Sequence, residues 1–286
     1  MLTIVGTVPD NDFPLVTGDV LLKGDTIGIQ DKQIPINRGT SALIAAAVKT
    51  FEVVGKKEIT VYLIGDIGLG TGSRKLYEYL TEHLGQNDSN AITFHYLQPD
   101  VDWHNRVLFA VKEMITRPVL IADAGFMYAA KMSGQAMVYD LFTPDIGELA
   151  FLADEEAPHP FYTRGFILQE ENRVPEQIAR AYEHDNAARY LLVKGKKDYI
   201  ADKHGIQATI DSPVEDSMEA IGGTGDTLTG IVSALIASGL AINNAMITAA
   251  RVNRLAGQLA SPTPATQVKD IINCIPEALD KIVNKK

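Results

Sequence analysis

The chain has 286 residues, 46% of them hydrophobic and 22% charged, the balance of an ordinary globular protein with ample length for a buried core. Its 26 Lys and Arg against 36 Asp and Glu leave a net charge of −10. That charge repels phosphate backbones and anionic lipid, so it argues against nucleic-acid and membrane-surface partners, while a small anionic metabolite needs only one local electropositive pocket. The single cysteine, Cys274, excludes an internal disulfide framework and any zinc site with two or more Cys ligands, and fits a reducing compartment. No apolar run reaches the ~18 residues of a membrane span. Residues 1–8 lack a basic region ahead of their apolar stretch and read as a first strand, not an export signal. The expected location is cytoplasmic.

In chain order, the strand at 2–8 is followed by an irregular stretch in which 17–22 and 26–33 read as a hairpin. A helix at 40–53, a strand at 59–64, a helix at 73–83 and a strand at 91–96 come next. Then follow a helix at 103–115, a strand at 119–122, a helix at 125–131, a strand at 137–142, helices at 147–153 and 175–184, and a strand at 190–193. Residues 194–205 read as a glycine turn and hairpin. From Gly222 the pattern is helical only, at 224–238, 242–260 and 267–283. Strands apolar on both faces that alternate with helices predict an α/β fold, a mostly parallel sheet covered on both sides. The absence of repeats and linkers predicts one domain over 1–286.

Ligands of such sheets bind beyond the C-terminal strand ends, which directs attention to the residues after each apolar run. Gly65 to Ser73 carries four glycines from a strand into a helix. It reads either as a tight turn or as a loop whose free N–H groups approach a ligand; it is neither a P-loop nor a proper dinucleotide fingerprint. Asp123 precedes a helix, where capping is the commoner role for a lone Asp and a cleft-facing role the alternative. Thr143, Asp145 and Glu148 suit a helix start around Pro144, yet open on the same edge.

The strongest signal is Gly222-Gly223-Thr224-Gly225-Asp226 ahead of an apolar helix. Adjacent glycines at a helix start let the backbone approach an anion, and Asp226 beside them is a candidate base for a substrate hydroxyl during phosphoryl transfer. Lys194, Lys196 and Lys197, with Gly195 and Asp198, read as a solvated turn or, beside an anion hole, as countercharge to nucleotide phosphates. The six histidines show no metal-ligand spacing, and only His204 falls in one of these segments, so no protein-held metal is expected. A serine-nucleophile elbow is absent.

Taken in order, these segments resemble the ribokinase-like superfamily, and within it the ADP/ATP-dependent NAD(P)H-hydrate dehydratase branch. Gly39-Thr40 stands where that branch has Gly-Ala, Gly68-Leu69-Gly70 matches the end of its Gly-Pro-Gly-Leu-Gly turn, and Asp123-Ala124-Gly125 resembles its Asp-Ala-Asp. Thr143 to Glu148 resembles Thr-Pro-His-x-Gly-Glu, Val193-Lys194-Gly195 resembles Leu-Lys-Gly, and Gly223-Thr224-Gly225-Asp226 matches fully. The resemblance implies a three-layer sandwich, with ATP or ADP across Lys194–Asp198 and Gly223, Thr224 and Gly225. Mg²⁺ would be carried mainly by phosphates and water. It places the second substrate near Gly39, Thr40, Gly68, Asp123, Asp145, Glu148 and Asp226, makes Asp226 the base, and favours a homo-oligomer. The reaction it implies phosphorylates a hydroxyl of hydrated NAD(P)H and then eliminates phosphate. The sequence departs from the pattern at Asp145, where the branch has His, and at Gly125, where it has Asp. The phosphate-handling half is thus kept and the acceptor half altered, which leaves a kinase of a small hydroxylated metabolite and a non-catalytic nucleotide-binding relative as alternative readings.

Overall fold

The computed structural model describes residues 1–55, 58–156, 173–263 and 265–284; His159 lies outside them. Among the described residues a nine-stranded sheet forms the middle layer. Its strands in chain order are β1 (Leu2–Val8), β2 (Val16–Asp19), β6 (Ile59–Gly65), β7 (Ala91–His95), β8 (Val119–Ala122), β9 (Leu141–Phe142), β10 (Tyr190–Val193), β11 (Asp198–Asp202) and β12 (Gly205–Ile210). They lie side by side as β12-β11-β10-β9-β8-β7-β1-β6-β2. The strands from β10 to β6 run parallel, and antiparallel β11, β12 and β2 close the edges. Among the described residues no helix is long and apolar enough to cross a membrane.

The parallel strands are buried on both faces because each face carries helices. Leu2, Ile4, Ile121 and Leu192 point into one apolar core, which they share with α1 (Thr40–Val54), α7 (Thr224–Ala237), α8 (Ile242–Ala260) and α9 (Val268–Val283). Val5, Ala122, Leu191 and Val193 point into the other. That core is shared with α2 (Thr71–His83), α3 (Val101–Lys112), α4 (Ala124–Met132), α5 (Ile146–Ala153) and α6 (Val174–Glu183). Alternate residues of one strand thus feed opposite cores, which explains the continuous apolar runs. The mostly parallel three-layer sandwich agrees with the sequence reading.

Two local expectations change. Residues 16–35 form more than a hairpin: β2 joins the large sheet, while β3 (Leu21–Lys23), β4 (Thr26–Ile29) and β5 (Lys32–Pro35) make a separate three-stranded antiparallel sheet. The run at 137–142 is mostly not a strand. Residues 136–138 form a 3₁₀ turn, and the Asp140 carboxylate takes the Leu120 N–H at 2.9 Å. A side chain there replaces the backbone acceptor that would lengthen β9, so pairing with β8 is confined to Leu141 and Phe142.

Candidate active site

The C-terminal ends of β7, β8, β9 and β10 and the start of α7 enclose a cavity of 770 Å³. Two of its lining residues, Tyr96 (φ 54°) and Ala124 (φ 52°), hold left-handed backbone without being glycine. Such strain of order 1–3 kcal/mol persists only where the surroundings enforce it, and it collects at functional sites.

Helix α7 begins at Gly223, which lies at φ 106° and has no side-chain cap. A Cβ there would stand 3.0 Å from Arg38 Cα and 3.1 Å from Val268, so both the dihedral and the space require glycine. The opening N–H groups of α7 therefore face the cavity edge without the side-chain acceptor that usually satisfies them. Within the first turn, Asp226 is buried, with Oδ2 accepting the Gly39 N–H at 2.6 Å and Oδ1 3.1 Å from His95 Nε2. Burial alone would raise its carboxyl, but the His95 hydrogen bond and charge, the Gly39 amide and Lys194 hold it below the usual carboxylate range.

Lys194 follows β10, and its ammonium donates to both oxygens of Asp123 at 2.9 Å. Burial works against its charge, yet Asp123, Glu148 and Asp145 keep it protonated well above the usual lysine range. Its stem passes over Gly225, where a Cβ would be 3.4 Å from Lys194 Cδ. Asp123 is wholly engaged: it caps α4 through the Ala124 N–H and also accepts from Thr229 at 2.7 Å. Both readings of Asp123 therefore apply, since it caps a helix and lines the cavity.

Asp145 and Glu148 form a reciprocal capping box at the start of α5. A bridge between Asp145 and Lys194 continues the parallel register of β9 and β10, which brings the two carboxylates onto the cavity wall. Burial and the neighbouring Asp145 push the Glu148 carboxyl well above its ordinary value.

Of the other residues singled out in the sequence, Gly195, Lys196, Lys197, Asp198, Thr224 and Gly225 line the cavity. Asp198 is turned to structural use, accepting Arg254 Nε at 2.7 Å and the Gly195 N–H at 3.3 Å. Lys196 lies 3.8 Å from Glu219 across the mouth. Gly39 and Thr40 stand behind the cavity and reach it through Asp226 and His95. Gly68 is not brought to its wall. Of the two readings of the loop after β6, the bonds favour the tight turn: Asp66 Oδ1 accepts from Gly68, Leu69 and Gly70, and Oδ2 from the Ser73 N–H and hydroxyl. The anion of this loop is its own side chain.

Sequence reasoning missed three side chains here. His95 ends an apolar strand and carries no spacing signal. Asn253 and Arg254 belong to the buried face of α8. Asn253 holds the Thr224 carbonyl at 3.1 Å and the Thr227 hydroxyl at 2.6 Å, and Arg254 holds the Gly195 carbonyl at 2.9 Å. Two polar residues inside an apolar stripe were the available signal.

The model of a family described as NAD(P)H-hydrate dehydratase matches residues 98–277. An uncharacterized protein of Methanocaldococcus jannaschii is 42% identical over 239 residues, covering 83% of this chain and 98% of that one. A bifunctional NAD(P)H-hydrate repair enzyme of Pyrobaculum aerophilum is 26% identical over 70% of this chain and 38% of its own greater length. Among solved structures, a ribokinase-like superfamily protein of Enterococcus faecalis superposes with a TM-score of 0.60 at 15% identity, covering 98% of this chain and 87% of that one. The pyridoxal kinase of Staphylococcus aureus in complex with ADP does so at 0.54 and 17%, covering 88% and 86%. At these identities the two structures speak for the fold.

Proposed function

Because this chain belongs to the NAD(P)H-hydrate dehydratase family, we propose that it transfers a phosphoryl group from ATP or ADP to a hydroxyl of hydrated NAD(P)H and then expels phosphate. The observation that carries this reading is Asp226, a buried carboxylate in the first turn of a helix whose opening amides have no side-chain cap. Those amides would hold the terminal phosphate, the positive end of the α7 dipole would oppose its charge, and Lys194 would add countercharge. Asp226 would take the hydroxyl proton as the new O–P bond forms and the P–O bond to the departing nucleotide breaks. Elimination then breaks the C–O bond, the electron pair leaves with phosphate, and loss of a proton from the adjacent carbon forms the ring double bond. Among the described residues no group of three or more His, Cys, Asp or Glu is placed to hold a metal. Mg²⁺ would therefore arrive on the nucleotide's phosphates.

One observation favours a second reading. Asp145 puts a carboxylate, where the resembled branch has His, on the wall that would receive the acceptor. A carboxylate there repels the pyrophosphate of a dinucleotide and accepts hydrogen bonds from a polyhydroxylated or amine-bearing molecule. On that reading the chain is a kinase of such a small metabolite, and the phosphorylated product is released.

The test is absorbance recovery of chemically hydrated NADH with Mg-ATP or Mg-ADP, run beside a phosphorylation screen of hydroxylated metabolites. Recovery that falls by about 10²–10⁴-fold in Asp226→Asn, with nucleotide affinity retained, supports the repair reaction. No recovery together with one phosphorylated metabolite transfers the case to the kinase. Nucleotide binding with neither activity leaves a non-catalytic relative.

A further inference from the structure

We propose that His95 is the positioning residue for Asp226, donating from Nε2 to Oδ1 and so holding the carboxylate for the incoming hydroxyl. This rests on the reading of Asp226 as the base.

His95 is the last residue of β7 and is completely buried, yet it lines the cavity. Its ring is held at every polar atom. Nε2 lies 3.1 Å from Asp226 Oδ1, and Nδ1 lies 3.0 Å from the Thr40 hydroxyl at the start of α1. Tyr96 meets the ring edge-on with centroids 4.3 Å apart. An ionised carboxylate only accepts, so the hydrogen between His95 and Asp226 belongs to Nε2.

The charged groups facing the ring come from separate elements: Asp226 from α7, Asp123 Oδ2 at 3.9 Å after β8, and behind Asp123 the ammonium of Lys194 after β10. Of the two carboxylates, Asp123 is neutralised by Lys194. The close contact of His95 goes to Asp226.

The arrangement is built into the backbone on its far side as well. A Cβ on Gly6 of β1 would meet Thr40 Oγ1 at 2.8 Å and the His95 carbonyl at 2.7 Å. Glycine in the middle of β1 thus makes room for Thr40 to reach the ring. A polar file from Thr40 through His95 to Asp226 ends at the cavity. An apolar ring of the same size would fill the volume, but would leave the Thr40 hydroxyl and one side of a buried carboxylate without partners.

His95 also favours the ionised form of Asp226. Losing it raises the pH at which Asp226 ionises, so the acid limb of activity must move to higher pH. A residue that only filled space would leave that limb in place.

The experiment compares the wild type with His95→Phe, His95→Gln and Thr40→Val. The readouts are Mg-ATP affinity by calorimetry and pH profiles of hydrated-NADH turnover or, if that acceptor is inert, of the metabolite phosphorylated in the screen. His95→Phe should lower kcat by about 10–100-fold while nucleotide affinity changes less than twofold, and should shift the acid limb upward. His95→Gln, which restores an uncharged donor, should recover most of kcat. Thr40→Val should give a smaller loss in the same direction. Wild-type kcat and limb in His95→Phe, or a Gln variant as impaired as Phe with its limb unmoved, would overturn the proposal.

A measurement without turnover covers variants that do not fold and a chain that catalyses neither reaction. Nitrogen-15 spectra of the wild-type imidazoles should show hydrogen on His95 Nε2, with a shift on Asp226→Asn. A ring with hydrogen on Nδ1 alone would overturn the assignment. Loss of activity in Asp226→Asn beside a fully active His95→Phe defeats this inference alone, whereas an active Asp226→Asn defeats the reading beneath it.

Discussion

At the scale of single residues, the cavity depends on charges that are matched before any ligand arrives. Asp123 is about 1% exposed, and its countercharge is Lys194, which donates to both of its oxygens. Replacing Lys194 by Met removes that cation and leaves a buried carboxylate with only Ala124 N–H and the Thr229 hydroxyl. Urea unfolding of Lys194→Met should show a loss of about 3–5 kcal/mol, the usual penalty for orphaning one partner of a buried pair. Adding Asp123→Asn should recover a large part of that loss, because the uncompensated charge is then gone. If the single variant is as stable as the wild type, Asp123 does not depend on Lys194 for its charge.

At the scale of elements, two contacts position the site. Helices α1 and α7 approach so closely that a Cβ on Gly230 would stand 2.2 Å from the Leu43 carbonyl. Gly230→Ala should therefore cost about 1–3 kcal/mol by forcing the helices apart. Since Gly39 on one helix start bonds Asp226 on the other, turnover should fall with stability, whereas Gly24→Ala, on an open turn, should not lower turnover. The second contact is the Asp66 loop. Burial raises the Asp66 carboxyl, but Ser73, Gly70 and Gly68 donate to it and hold it below its ordinary value. A depressed folded-state pKa gives stability that is present above the unfolded pKa and lost as pH falls through the folded one. Unfolding free energy measured from about pH 5 downward should thus decline less steeply in Asp66→Asn than in the wild type, from a lower starting value. Equal slopes would mean that the loop draws nothing from the ionised form.

At the scale of the whole molecule, a bound nucleotide would tie α7, the turn before β11 and α8 together, because Asn253 and Arg254 already link those walls. Ligand binding only to the folded state adds about 2.7 kcal/mol at a hundredfold excess over Kd. For a chain of this size that raises the melting temperature by about 5–10 °C. Differential scanning fluorimetry with Mg-ATP, Mg-ADP and a matched Mg²⁺ control should show this rise. A melting temperature unmoved by every adenine nucleotide would count against the proposed nucleotide site. Within a net charge of −10, the positive end of α7 and the lysines Lys194, Lys196 and Lys197 on the cavity wall are local positive groups that an anion would meet.

Much of this was legible in the residues alone, for a physical reason: helix and strand periodicity, glycine at a helix start and a carboxylate beside it are local properties. The alternation of doubly buried strands with helices determined the layered fold, and Gly223 to Asp226 announced the helix start that carries the proposed base. Tertiary structure alone decided which partner each polar group finds. The Asp66 loop read equally as a tight turn or as an approach to a ligand until its own carboxylate was seen to take its amides. His95 looked like the end of a strand until the sheet order brought it beside a residue 131 positions away. Asn253 and Arg254 interrupt the apolar stripe of α8, but which carbonyls they hold on the neighbouring turns was decided only by the packing of that helix. Such pairings are set by sheet order and by helix rotation against the sheet, and neither leaves a mark within a window of neighbouring residues.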